Sequence, residues 1–180
     1  MTLSVVYVPD TGHVVGAVGV TGTPAPVEVS ALIGPALPLR VTLGAGKTAV
    51  LTLRDRQLTA LAADDEPGAF TDPLAFGVEQ VEGPGSVMVA KPALRQLRPW
   101  IDKFAFDAVG LTVTVPSADN TRDTPVMALV SDGAETRVLA GAIAEGQKSV
   151  TLPVSVDSGP HGVLVLVAGW AGRLEAVTKP

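Results

Sequence analysis

The sequence predicts an all-β protein built from two small antiparallel β domains, and three observations lead to this prediction. Short apolar runs recur along the whole chain, and turn signals separate them. Glycine and proline account for 34 of the 180 residues (19 and 15). This content favours many turns, and the glycines do not recur at every third position as they do in collagen. Apolar residues make up 47% of the chain, so it can form a hydrophobic core. This pattern is typical of sandwiches and barrels.

The first predicted domain, residues 1–91, is barrel-like or sandwich-like. It opens with a hairpin between strands at 3–8 and 14–20, because the Pro-Asp-Thr-Gly-His sequence between them favours a tight turn. Glycine-containing loops separate the strands that follow. These further strands are predicted at 27–31, 39–43, 49–53, 76–81 and 87–91.

Two segments interrupt the strand pattern. Residues 55–64 are rich in helix formers with leucines on one side, so one short helix is predicted there, with Asp55 as its cap. Residues 92–104 are predicted to be a linker, because Pro92 and Pro99 bracket a stretch that could form one or two helical turns. The charge also changes there, since residues 92–103 carry three basic side chains and one acidic one.

The second predicted domain, residues 105–180, is a small sandwich of immunoglobulin-like proportions. The resemblance to immunoglobulin-like modules is one of pattern only: the chain lacks their cysteine pair and carries no functional motif to transfer. Its six short strands are predicted at 111–115, 125–131, 137–142, 149–154, 162–168 and 174–178.

Composition excludes several classes of protein and site. The chain contains no cysteine, so disulfides, zinc ribbons, iron–sulfur clusters and thiol catalysis are excluded. The net charge is −5, and no basic stripe interleaved with aromatic residues points to nucleic acid. The longest apolar stretch, 163–172, is far shorter than the roughly 20 residues of a membrane-spanning helix. The first residues lack the basic and apolar regions of a signal peptide, so we expect a cytoplasmic protein without a membrane partner.

Two strings resemble known catalytic or phosphate-binding motifs. Residues 10–12, Asp-Thr-Gly, match the tripeptide of aspartic proteases, in which two carboxylates share a proton, and a homodimer could supply the second one. The turn residues around it favour a hairpin instead. Residues 44–48, Gly-Ala-Gly-Lys-Thr, resemble the end of a P-loop. Val41 stands where that motif needs glycine and a strand-like run follows, so a hairpin tip is predicted.

Three polar clusters also have a turn interpretation. Residues 157–161 contain an acid, a hydroxyl and an imidazole, but three groups on one tight loop rarely align for acyl transfer. The acidic residues 64–66 with Asp72 could bind calcium, although the alternating spacing of a calcium loop is missing. Residues 119–123 are of the types that favour turns. We therefore predict no catalytic residue, metal site or cofactor.

Trp100 is the best candidate for a binding residue. It lies beside Arg95, Arg98 and Lys103, and a tryptophan among arginines is typical of interface hot spots. Packing between the two halves of the chain is the alternative. Trp170 ends the most apolar predicted strand, which favours a core position.

The sequence favours a non-enzymatic subunit of a larger assembly. Only 17% of the residues are charged, against about 25% on average, so part of the surface is expected to meet protein rather than water. Copies of itself or other subunits are the expected partners, in a cap, baseplate or adaptor of a phage-like or tail-like particle. One alternative is a carbohydrate-binding module that uses a tryptophan or Tyr7 as a platform. Another is an aspartic-type hydrolase that a second subunit completes at Asp10.

Overall fold

The computed structural model describes residues 2–21, 24–100, 102–117, 121–133 and 135–180, without the side chains of Ser86 and Met88. Strands hold 58% of the residues, in several small antiparallel sheets, and the predicted all-β class is confirmed. The helices are α1 (Val29–Ile33) and α2 (Gly68–Thr71). The strands are β1 (Thr2–Tyr7), β2 (Val14–Val20), β3 (Ala36–Gly44), β4 (Lys47–Arg54), β5 (Thr59–Ala63), β6 (Phe76–Glu82), β7 (Met88–Gln96), β8 (Phe104–Phe106), β9 (Gly110–Thr114), β10 (Thr124–Ser131), β11 (Thr136–Ile143), β12 (Ser149–Pro153), β13 (Gly159–Val167) and β14 (Arg173–Lys179).

Backbone contacts divide the chain into two compact units. Unit 1 comprises Met1–Leu37, Leu53–Arg98 and Gly169–Ala171. Unit 2 comprises Pro38–Thr52, Pro99–Ala168 and Gly172–Pro180. Most of the β3–β4 hairpin therefore belongs to unit 2, and the loop before β14 belongs to unit 1. Independent domains at 1–91 and 105–180 stay a prediction.

In unit 1, β1 lies at the centre of a three-stranded sheet between β2 and β5. The predicted first hairpin is confirmed, with Thr2 paired to Val20 and Tyr7 to Val14. Gly12 has φ 76°, a conformation that glycine adopts without strain. The apolar side chains of β1 and β2 pack with those of neighbouring elements. The core of this unit consists of Leu3, Val5, Tyr7, Val14, Ala63, Ala69, Phe76 and Val78.

A bulge divides the β6–β7 hairpin. Val78 pairs with Leu94, whereas Gln80 pairs with Ala90, so β7 has extra residues between these two points. Pro92 lies in the bulge, where its missing N–H costs no ladder bond, and its carbonyl oxygen accepts a hydrogen bond from the Asp64 N–H at 3.1 Å. The near half of the hairpin packs in the unit 1 core. We call its outer half, residues 81–89, the distal arm.

The prediction of a short helix at residues 55–64 is wrong. The structure has a 3₁₀ turn at Asp55–Gln57, and β5 follows it. β5 pairs with β1 from Thr59 opposite Tyr7 to Ala63 opposite Leu3. Leucine and alanine favour a helix only weakly, and the strand pairing that buries Ala63 outweighs that local preference. Asp55 does not cap a helix: its Oδ1 accepts a hydrogen bond from the Arg56 N–H.

Two further predictions of local structure need correction. The strand predicted at 27–31 is a helix instead, α1, which ends at Gly34 with φ 68°. In the segment 92–104, the predicted helical turn is wrong, because β7 continues as far as Gln96 and Arg98 then forms a single bridge. The role of this segment as a linker stays a prediction. Pairing with β6 keeps this stretch extended, which the prolines alone do not indicate.

Unit 2 contains a four-stranded sheet in the order β11-β10-β13-β14 and a three-stranded sheet in the order β12-β9-β8. The two central strands of the larger sheet, β10 and β13, are almost completely buried. The six strands predicted between residues 111 and 178 are confirmed. The sequence did not predict β8, because three residues are too few to show an alternating apolar pattern. The β3–β4 hairpin is held by Thr136, whose hydroxyl donates to the Val50 carbonyl and accepts from the Thr52 N–H.

The turn of the β3–β4 hairpin contains a strained alanine. Ala45 and Gly46 have φ 47° and 74°, as a type I′ turn requires, and Asn-Gly is the preferred pair in such turns. We expect Ala45→Asn to raise the free energy of unfolding by about 0.5–1 kcal/mol, because asparagine tolerates the left-handed conformation better. Urea denaturation measures this change. Ala108→Asn, at an exposed loop position without positive φ, is the control, and an equal gain there would contradict the explanation.

Candidate functional site

Trp100 is buried within unit 2 and is only 6% exposed. Its indole Nε1 donates a hydrogen bond to the Thr114 carbonyl at 2.8 Å, and its ring centroid lies 5.5 Å from that of Phe104. A buried tryptophan needs such a partner for its N–H. The structure therefore gives Trp100 a packing role in this unit.

Arg173 packs against the rings of both Trp100 and Phe104, a contact that the sequence analysis did not predict. Its guanidinium carbon lies 5.6 Å from the Trp100 ring centroid and 5.3 Å from that of Phe104. Nη2 forms an ion pair with Glu175 at 3.0 Å, and Nη1 donates to the Asp102 carbonyl. The cation thus lies against two rings and has a carboxylate partner. No local sequence signal links the start of β14 to Trp100.

Arg98 lies in unit 1, where it binds the loop 169–171. Its guanidinium stacks 4.1 Å from the Trp170 ring centroid. Its main chain accepts from the Ala171 N–H at 2.7 Å and donates to the Gly169 carbonyl at 3.2 Å. Arg95 is exposed in β7 of the same unit, whereas Lys103 is exposed in unit 2. The structure thus brings Arg98 to Trp170, and an interface role for the four predicted residues stays a prediction.

His13 also holds this loop, from the turn that contains the Asp-Thr-Gly string. It is fully buried, and its Nε2 lies 2.8 Å from the Trp170 carbonyl oxygen. A carbonyl only accepts, so Nε2 carries the proton and Nδ1 accepts from the Thr11 hydroxyl at 2.9 Å. Burial lowers the pKa of His13 to about 4, against the backbone hydrogen bonds to Trp170 and Thr11, which raise it. Both ring nitrogens of this neutral histidine are therefore engaged in unit 1, while Asp10 stays exposed at the turn.

The P-loop-like string forms a hairpin tip, as predicted: β4 begins at Lys47, where a P-loop would begin a helix. The turn predicted at 157–161 covers only its first two residues, because β13 begins at Gly159 and contains the buried His161. The Ser158 hydroxyl donates to the Pro180 carbonyl. His161 Nε2 donates to the Asp157 carbonyl at 2.8 Å. The hydroxyl and the imidazole thus have separate partners.

The acidic residues 64–66 serve the loop that precedes α2. The Glu66 carboxylate accepts from the Gly68 N–H at 3.2 Å. Among the described residues, no three histidine, aspartate or glutamate side chains are arranged to hold a metal ion. In the string 119–123, residues 119 and 120 lie outside the described part of the chain, and the Asp123 carboxylate accepts from the Glu145 N–H.

Unit 2 contains a cavity of about 330 Å³ beside His161. The Arg137 guanidinium donates to the Ser155 carbonyl in its wall. His161 is 3% exposed, and its Nδ1 is the only buried side-chain nitrogen or oxygen in the described residues without a hydrogen-bond partner. The sequence marked His161 as part of a turn but not as part of a cavity. The cavity is lined by Val130, Asp132, Glu135, Arg137, Ser155, Val156, Asp157 and His161.

Large apolar side chains are exposed mainly on unit 1. In the described residues, five belong to unit 1 and two, Val109 and Val138, to unit 2. The five are Val18, Val27, Phe70, Val87 and Val89.

The aromatic residues considered as a carbohydrate platform are all buried. Tyr7, Trp100 and Trp170 are at most 7% exposed, and burial raises the pKa of the Tyr7 hydroxyl. None of the helices in the described part of the chain is long and apolar enough to cross a membrane. In comparisons with known proteins, no family model, curated protein or solved structure matches this chain.

Proposed function

We propose that this chain is a non-enzymatic structural or adaptor subunit of a larger assembly, and that the distal arm binds a second copy of the chain. The observation that carries this proposal is the exposed apolar face of the arm. Val87 is 62% exposed and Val89 is 48% exposed, although both lie in or beside a strand. A solvent-facing strand position would ordinarily carry a polar side chain.

The arm consists of two strands without a third one in the described residues. β6 and β7 pair only with each other as named strands, and the bulge at Pro92 separates the arm from the packed half of the hairpin. An isolated two-stranded ribbon is marginally stable in water, whereas an added strand or an apolar layer stabilises it. The arm therefore gains stability from a docked partner.

The apolar face suits a second copy because it is complementary to itself. Val81 and Val89 are direct partners in the ladder and so share one face, and Val87, two residues before Val89, shares it too. At the base of the arm, Glu79 and Lys91 form an ion pair at 3.4 Å, so these two charges offset each other where two arms would meet. A two-fold contact uses the same patch on both copies.

A finer proposal places the subunit in a phage-like or tail-like particle within the cytoplasm, as a cap, baseplate or adaptor piece. The low charge content of the chain, 17%, supports a surface that largely meets other protein. Other subunits could then occupy the remaining exposed apolar positions of unit 1.

Light scattering coupled to size exclusion, over a wide range of protein concentration, tests the proposal. We expect a discrete oligomer for the natural chain. The double variant Val87→Lys with Val89→Lys should weaken self-association about a hundredfold or more, because two ammonium groups would have to be desolvated in the contact.

The matched control is the double variant Val109→Lys with Val138→Lys, since these valines of unit 2 are 68% and 45% exposed. It should assemble like the natural chain. A natural chain that stays monomeric at every concentration would refute assembly with itself. An oligomer that survives the arm substitutions would refute the role of the arm.

A further inference from the structure

The cavity of unit 2 has the features of a small binding site. Its volume of about 330 Å³ lies in the range of pockets that hold small ligands. Val130 and Val156 supply apolar wall, and the other lining residues supply charge and hydrogen-bonding groups.

The charge around the cavity favours a cation. Three carboxylates line it, those of Asp132, Glu135 and Asp157, against the single guanidinium of Arg137. That guanidinium already donates to the Ser155 carbonyl. The Lys179 ammonium also donates to the Val156 carbonyl in the wall, at 2.8 Å. Counting both cations, the three carboxylates leave a surplus of one negative charge, which favours a positively charged ligand over an anion.

His161 provides an independent reason to expect a ligand with N–H groups. Its Nε2 donates to the Asp157 carbonyl, so in the neutral ring Nδ1 is an acceptor. This nitrogen is buried and has no partner, which is costly unless something donates to it. Phe106 packs edge-on against the ring at 5.4 Å between centroids and offers no donor.

We infer that this cavity binds an alkylammonium or alkylguanidinium group. The methylene groups of such a ligand would lie against Val130 and Val156, its positive head would lie near Glu135 and Asp157, and one N–H would donate to His161 Nδ1. A lysine or arginine side chain of a protein and a free amine share this chemistry. The inference does not depend on the distal arm, which belongs to the other unit.

Histidine side-chain NMR on the full chain tests this inference directly. The chain has two histidines, and His13, whose two nitrogens are already bonded, is the internal reference. Titration with butylguanidinium should shift the imidazole nitrogen signals of His161 saturably and leave those of His13 in place. The uncharged 1-butanol and the anion butyrate should produce no saturable shift.

Matched variants locate the site. Glu135→Gln and Asp157→Asn should each weaken binding about threefold or more, since each removes one exposed charge partner. Glu145→Gln removes an exposed carboxylate of the same unit outside the cavity and should leave binding unchanged. Unchanged Trp100 fluorescence, in a Trp170→Phe background, shows that unit 2 is folded in each variant.

The same titration distinguishes the source of the group. Binding of Nα-acetyl-arginine N-methylamide at the strength of butylguanidinium supports the inference with a protein side chain as ligand. Binding of butylguanidinium alone supports it with a free amine. The inference is overturned if no cation gives a saturable His161 shift, if 1-butanol binds as well, or if Glu145→Gln weakens binding as much as Glu135→Gln.

Discussion

Gly110→Ala is expected to lower the free energy of unfolding of unit 2 by about 3 kcal/mol or more. A Cβ at this position would lie 2.1 Å from the Leu152 carbonyl oxygen. That oxygen belongs to the backbone of β12, which pairs with β9 and sets Gly110 opposite Pro153. No rotation of a side chain relieves this clash, so the two strands must separate.

The turn before Gly110 prevents β9 from shifting away. The Asp107 carboxylate accepts hydrogen bonds from the N–H groups of Val109 and Gly110 at 2.8 and 2.9 Å. It also accepts from the Thr112 hydroxyl, which is the largest cause of the lowered pKa of Asp107. The N–H of residue 110 is thus fixed at the point where the added methyl group would need space.

Gly141→Ala is the matched control, because its added Cβ also meets Leu152. There the contact is with Cδ2, at 2.6 Å, at the end of a buried side chain that can shift without moving the backbone. We expect a smaller loss, of about 1–2 kcal/mol. Urea denaturation followed by Trp100 fluorescence, in a Trp170→Phe background, measures unit 2. Equal losses for the two variants would contradict the clash with the β12 backbone.

Unit 1 is expected to lose about 3 kcal/mol of stability as the pH falls from 7 to 4, through His13 alone. Its pKa is about 4 in the folded protein, against an ordinary value of 6.5. The unfolded chain therefore takes up the proton first, and stability falls by about 1.4 kcal/mol per pH unit within this window. Above pH 6.5 the neutral His13 causes no loss of stability, and below pH 4 its protonation causes no further loss.

The comparison of the natural chain with His13→Gln isolates this effect from carboxylate titration. The variant should be less stable at pH 7, and its stability should vary less between pH 6.5 and 4. Trp170 fluorescence in a Trp100→Phe background reports on unit 1. His161→Gln, which leaves His13 in place, should keep the full loss. A natural chain and a His13→Gln variant with parallel pH dependence would show that the buried imidazole is not responsible.

The all-β class, most strands and the turns of the first two hairpins could be predicted from the amino-acid sequence. These features rest on local chemistry: alternating apolar residues, and glycine, proline and aspartate where the backbone must turn. The hairpin tip at residues 44–48 and the strands β9 to β14 were predictable for this reason. Local signals failed at β5 and α1, where intrinsic preference is weak and neighbouring elements decide.

The contacts between residues that are distant in the sequence depend on the tertiary fold. His13 and Trp170 are 157 positions apart, and Arg173 meets Trp100 from the far end of the chain, so neither contact has a periodic signature. The cavity beside His161 combines residues from β10, β11, β13 and the loops between strands. The exposed face of the distal arm depends on a bulge that separates it from the core. Periodicity tells which side of a strand is apolar, whereas burial depends on what the rest of the chain places against that side.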